Sequence, residues 1–129
     1  MRRAFLAAVL VLVSSCGGSS PSSPSGGSGG GGSTSATITI TSTGVSASQL
    51  DITPGTRVLF VNNDTRSHNM TSDPHPEHND CAEINTVGLL QPGQRRETAN
   101  MNTVRSCGFH DHDDPPPGGA RFAGRITIR

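Results

Sequence analysis

The stretch PGTRVLFVNND, residues 54–64, is the part of the sequence that most clearly defines a structural element. Its centre is a dense apolar run, Val58-Leu59-Phe60-Val61, rich in β-branched and aromatic side chains. Pro-Gly before this run and Asn-Asn-Asp after it are turn signals. The stretch therefore predicts a short buried strand between two turns.

Four further segments, on both sides of this strand, are also predicted to be strands. Residues 36–41 alternate Ala or Ile with Thr, which is the period of two expected for a strand with one buried face. The other three are residues 94–99, which follow a Pro-Gly pair, residues 104–110, and residues 124–129. Because no segment shows helical periodicity over three turns, the sequence predicts an all-β domain, a β-sandwich.

The first 35 residues differ from the rest of the chain. Two arginines precede an apolar run of about ten residues, which is too short for a membrane span of roughly twenty. This pattern predicts a signal peptide over residues 1–15. The run ends in V-S-S-C, which resembles a bacterial lipobox and implies a lipid on Cys16. Residues 16–35 are almost entirely Gly, Ser and Pro after that cysteine, so we expect a disordered linker.

The resemblance to a lipoprotein implies a location in the cell envelope, with the domain of residues 36–129 tethered to a membrane. Gly17 rather than an aspartate follows Cys16, which favours the outer membrane and its periplasmic face. The domain carries ten Asp or Glu, eight Arg and no Lys. Its scattered arginines and net negative charge exclude nucleic acid as a partner.

All five histidines of the chain lie in a single region. We expect His68, His75 and His78 in one long loop, and His110 and His112 at the end of the fourth predicted strand. Residues i and i+2 of a strand point to the same face, so the last two histidines can present both imidazoles to one ion. The clustering indicates a metal site.

In the order of its motifs the domain resembles a cupredoxin of the plastocyanin and azurin type. The motifs are L-x-I-x-P-G-x-x-V (50–58), F-V-N-N-D (60–64), S-H (67–68), L-x-P-G (90–93), C-x-x-H (107–110) and G-R-I-T-I (124–128). The resemblance implies a Greek-key β-sandwich with copper at one end. It also implies that His68 is the first copper ligand and that the others lie within residues 107–121.

The chain departs from the usual copper site of that family at two positions. Phe122 stands where the family's M-x-G motif would place an axial methionine, and Cys107 lies closer to Gly93 than the copper cysteine of plastocyanin-like chains does. The chain also resembles cupredoxin-like relatives with S-D-P-H-P-x-H and Y-H-D-H, which have no cysteine at the copper position. The expected ligands are then His68, His110 and His112, with weaker candidates in His75, His78 and Cys107.

The cysteines leave two alternatives open. If lipid occupies Cys16, then Cys81 and Cys107 remain as an even pair in an oxidising compartment, where a disulfide is the simplest arrangement. In the other alternative Cys107 is a copper thiolate and the protein is a type 1 blue-copper electron carrier.

The function expected from these features is copper holding or electron transfer with a redox protein partner, without catalysis. G-F-H-D-H, residues 108–112, also resembles copper-zinc superoxide dismutase, but no histidine follows it to complete that family's ligand set. The domain of residues 36–129 has no G-x-S-x-G nucleophile motif. A β-sandwich that binds or adheres without metal is the remaining alternative.

Overall fold

The computed structural model describes residues 36–129, so the predicted signal peptide, Cys16 and the linker lie outside the described residues. The described part contains nine strands, one helical turn and one 3₁₀ turn. In chain order they are β1 (Ala36–Thr41), β2 (Gly44–Val45), β3 (Gln49–Ile52), β4 (Val58–Asn62), β5 (His68–Ser72), α1 (Ala82–Asn85), β6 (Gly88–Leu90), β7 (Arg95–Glu97), β8 (Arg105–Asp111), the 3₁₀ turn (Ala120–Phe122) and β9 (Gly124–Ile128).

The strands form two mixed sheets. The first sheet has the order β2-β1-β4-β7, and the second has the order β3-β9-β8-β5-β6. β1 runs parallel to β4 and β3 runs parallel to β9, whereas the other pairs are antiparallel. The predicted all-β sandwich is confirmed.

One apolar core lies between the sheets. In β1 alternate side chains are buried, as its period of two predicted, whereas β4, predicted as a continuous buried run, alternates buried with half-buried side chains. Phe60 of the first sheet meets Phe109 of the second edge to face, with ring centroids 5.5 Å apart. Edge-to-face packing is a preferred arrangement of aromatic rings, and here it joins the two sheets at the centre of the core.

The five strands predicted from the sequence are all present, with bounds that differ by at most two residues. β5 was not predicted, because the sequence HNMTS lacks an apolar alternation. It forms because Met70 pairs with Gly88 on one side and with Asp111 on the other. The prediction that His68 lies in a loop with His75 and His78 is therefore wrong, since His68 begins this strand.

The only α-helical segment of residues 36–129 is the single turn α1, which follows Cys81. Within this described range, no helix has the length and apolarity needed to cross a membrane.

Candidate metal centre

The alternation of side chains along β5 and β8 divides the histidines between two environments. Met70 and Phe109 belong to the buried core, so their side of the second sheet is its inner face. His68 and Asp111 lie on that inner face by the period of two. His110 is paired with Thr71 and lies on the opposite, outer face.

His68 is enclosed at the inner face and both of its ring nitrogens already have partners. Nδ1 lies 2.7 Å from Oδ2 of Asp111, and Nε2 lies 3.0 Å from Oδ2 of Asp64. The ring is fully buried and its centroid is 4.7 Å from that of Phe122. Neither nitrogen is free to bind an ion, so the structure does not place His68 with the other predicted ligands.

The Asp64 carboxyl next to His68 has its pKa shifted by this environment. Burial raises the pKa of Asp64, but hydrogen bonds from His68 and from the backbone N–H of Thr65 lower it, as do the positive charges of His68 and Arg66. The net effect is a pKa below 3.8. Asp64 is thus held in its ionised form against the His68 ring.

Three histidines come together on the outer face of the second sheet. One ring nitrogen from each of His75, His78 and His112 lies within 4.8 Å of the others. His112 follows β8, whereas His75 and His78 come from the loop of residues 73–80 between β5 and α1. His75 is exposed and the other two are half-buried, so an ion could reach this group from solvent.

His110 lies beside the same group. Its ring centroid is 5.1 Å from that of His78 and 5.6 Å from that of His75. Its Nδ1 is 2.6 Å from Oδ1 of Asp73, and its buried Nε2 has no hydrogen-bond partner. Buried polar atoms nearly always have a partner. The free Nε2 therefore marks His110 as a fourth candidate ligand.

Hydrogen bonds fix how His78 meets His112. Nδ1 of His78 lies 2.9 Å from the carbonyl oxygen of Ser72, which can only accept, so Nδ1 is the donor. Nε2 of neutral His78 then carries the lone pair and lies 2.9 Å from Nδ1 of His112. Two nitrogens at that separation can bind one ion with bonds of about 2.0 Å and an angle of about 90° between them.

The loop backbone is held in place around His78. The His78 N–H donates to the carbonyl of Pro74 at 2.7 Å, and the His78 carbonyl accepts from Asn85 Nδ2 at 2.6 Å. His78 has a φ of 52°, in the left-handed region that a residue with a Cβ seldom adopts. Such conformations persist where surrounding contacts enforce them, and they concentrate at functional sites.

The surroundings of His75 favour its neutral, ligand form. Desolvation has the largest effect and lowers the pKa of His75 below 6.5. The neighbouring imidazoles of His112, His110 and His78 lower it further, in that order, and the negative charge of Glu77 only partly opposes them. A metal ion needs a neutral imidazole, so this environment reduces competition from protons.

The predicted disulfide between Cys81 and Cys107 is present, with Cα atoms 5.8 Å apart. Both residues are fully buried. Because its Sγ is bonded to Cys81, Cys107 is not available as a copper thiolate, and the blue-copper alternative loses its ligand. The bond connects the chain just after the loop that carries His75 and His78 to the strand that carries His110.

No protein-family model matches the sequence, and no curated protein matches it. Solved structures match the fold instead. A purple cupredoxin from Nitrosopumilus maritimus has a TM-score of 0.52 and 18% identity over 73% of this chain and 99% of that one. Oxidised plastocyanin from Dryopteris crassirhizoma has a TM-score of 0.54 and 17% identity over 73% of this chain and all of that one. The fold is cupredoxin-like. An oxidised variant of amicyanin has a TM-score of 0.55 and 12% identity over 74% and 82% of the two chains.

In this cupredoxin-like domain the position that the family resemblance assigned to copper is filled by side chains. His68 occupies the expected position of the first ligand, but it lies between Asp64 and Asp111. Phe122, at the place of the missing methionine, packs against its ring. The candidate metal centre has instead formed on the outer face of the second sheet.

Sequence reasoning named all three histidines of this group as candidate ligands, but it ranked His75 and His78 below His68. It missed Asp73, which holds His110. The available signal was the position of Asp73 two residues before His75 in the S-D-P-H-P-E-H segment.

Proposed function

We propose that this protein binds one copper ion, as Cu(II), on the outer face of its second sheet and holds it there. The ligands are His75, His78 and His112, with His110 as the fourth. The observation that carries the proposal is the convergence of three imidazole nitrogens within 4.8 Å beside the ring of His110, whose buried Nε2 has no partner.

Copper is supported by the donor set and by the fold. Imidazole nitrogen suits copper among the first-row metals, and Cu²⁺ binds such sites more tightly than the other divalent ions of that row. The proteins similar in fold are named cupredoxin, plastocyanin and amicyanin, and one of the amicyanin structures is named as a Cu(I) form.

The ligand chemistry favours holding copper over fast electron transfer. Blue-copper carriers combine a cysteine thiolate with two histidines and a weak axial ligand. Here the Cys107 sulfur is in a disulfide, and Met70 is buried in the core of the inner face. A set of four imidazoles stabilises Cu(II), which suits capture and storage without catalysis.

We also propose that the domain is anchored in the cell envelope by lipid on Cys16, with residues 16–35 as its tether. The support is the V-S-S-C ending after a short apolar run and the Gly-Ser composition that follows. A tethered copper-binding domain would take up the ion near the membrane and pass it to a partner protein there.

Copper titration of the full chain in detergent, followed by calorimetry and electron paramagnetic resonance, tests the proposal. We expect one Cu(II) per chain, a spectrum with several coupled nitrogens, and no intense thiolate band at roughly 600 nm. His75→Ala and His112→Ala should each weaken copper binding by at least about tenfold. Loss of a residue that only orients a metal ligand already costs about that much, and loss of the ligand itself should cost no less.

Asn79→Ala is the matched control, because Asn79 is an exposed residue of the same loop directly after His78. Its copper affinity should equal that of the unchanged chain. If neither histidine variant alters the affinity, the proposed ligand set is refuted. If the chain binds no copper and its melting temperature is the same with and without the metal, the proposed function is refuted. The alternative of a metal-independent binding or adhesion sandwich then replaces it.

A further inference from the structure

The hydrogen bond between His110 and Asp73 determines which nitrogen of His110 can bind an ion. The Asp73 carboxylate oxygen accepts, so Nδ1 of His110, 2.6 Å away, carries the hydrogen. A neutral imidazole has one hydrogen, so Nε2 then carries the lone pair. That Nε2 is the buried atom without a partner, and the ring lies beside His75 and His78.

Asp73 reaches His110 because residue 108 is a glycine. The Asp73 carboxylate lies against the Gly108 Cα, and a Cβ built there would lie 2.6 Å from Cγ of Asp73. Carbon atoms do not approach so closely without a shift of one of them. Any side chain at this position would therefore displace the carboxylate from His110.

Both ends of the loop of residues 73–80 are fastened at the same glycine. The Asp73 N–H donates to the carbonyl of Gly108 at 3.0 Å, and the Gly108 N–H donates to Oδ2 of Asp80 at 3.4 Å. The Asp80 N–H donates to the Asp73 carbonyl at 2.9 Å, which closes the loop on itself. The position of Asp73 is thus set by the backbone before any ion binds.

We propose that Asp73 is the positioning residue of the metal centre and that Gly108 is the position that admits it. Asp73 holds His110 in the Nδ1–H form, which leaves the buried Nε2 with a free lone pair in a ring that lies beside those of His75 and His78. This inference rests on the proposed function, because it treats His110 as a ligand. The Asp73 carboxylate would bond to the ligand His110 and not to the ion, and carboxylates in that role orient metal-binding histidines and increase their basicity.

Three substitutions separate this role from a general effect on folding. Asp73→Ala removes the acceptor and should weaken Cu(II) binding by about 10- to 100-fold. Asp73→Asn keeps an oxygen that can accept from Nδ1–H, so it should restore much of that loss. Gly108→Ala leaves Asp73 in the sequence but displaces its carboxylate, so it should resemble Asp73→Ala. Asn79→Ala serves again as the control.

The deciding measurement is the tautomer of His110 in the metal-free full chain, read from long-range ¹H–¹⁵N correlation spectra. We expect the Nδ1–H form in the unchanged chain and in Asp73→Asn, and loss of that form in Asp73→Ala and Gly108→Ala. Copper affinities of the same proteins should follow the same order.

An Nε2–H tautomer in the unchanged chain would overturn the proposal, as would an Nδ1–H tautomer that survives Asp73→Ala. Equal copper affinities in Asp73→Ala and the unchanged chain would also overturn it. Failure of the unchanged chain to bind copper would instead refute the proposed function, and the tautomer spectra would still decide whether Asp73 positions His110.

Discussion

Replacing Cys81 and Cys107 by alanine removes the covalent link between β8 and the chain just after the loop of residues 73–80. The two cysteines are 26 residues apart in sequence. The chain-entropy expression for a crosslink of that span gives a loss of about 3.5 kcal/mol in the free energy of unfolding at 25 °C. For a domain near the upper end of the 60- to 100-residue class, this loss corresponds to a fall in melting temperature of roughly 15–20 °C.

Thermal unfolding of the double variant, each single variant and the unchanged chain measures this effect. Each single substitution should cost about as much as the double one, because either removes the whole bond. Titration of free thiols should find none in the unchanged chain and one per single variant, apart from Cys16. The crosslink argument would be refuted if the melting temperature of the double variant fell by less than about 5 °C. It would also be refuted if the losses of stability in the two single variants added up to the loss in the double variant.

Copper binding provides a second measurement on the same variants. The substitutions leave every proposed ligand in place, so the double variant should still bind one Cu(II). With free copper at 100 times the dissociation constant, the ion should restore about 2.7 kcal/mol of stability. Loss of all binding in the double variant, at a temperature where it is folded, would mean that the disulfide is needed to form the site.

Three further predictions concern other parts of the molecule. His68→Leu should lower the free energy of unfolding by roughly 3 kcal/mol, because it leaves two buried carboxylates without their partner, yet copper stoichiometry in calorimetry should stay at one. Because the pKa of Asp64 is lowered in the folded state, its contribution to stability is complete above the unfolded value of 3.8 and is lost as pH falls through the folded value. Urea unfolding from pH 5 to pH 2 should show this loss, and Asp64→Asn should reduce it. Cys16→Ser should block maturation, and intact mass of the mature unchanged chain should include acyl chains; a mass without them would contradict the anchor.

The strands with a clear pattern were predictable from the sequence alone. Ile38 and Ile40 alternate with threonines, and the run around Phe60 is bounded by turn residues, so local physics determines their conformation. β5 could not be predicted in this way, because its sequence, HNMTS, has no alternation of apolar and polar side chains that would indicate a strand. Pairing with β6 and β8, which are distant in the chain, makes it a strand.

The sequence by itself determined which side chains were available for a metal centre: five histidines close together, a cysteine pair and no methionine near the last strand. Only the tertiary structure decided which histidines meet. A strand sends neighbouring side chains to opposite faces, and the pairing of β5 with β8 decides which of them share a face. That pairing turns His68 into the interior against Asp111 and leaves His110 on the outer face, where the loop brings His75 and His78 over it. The spacing of histidines along the chain carries no information about this division, because the contacts that create it join residues about forty positions apart.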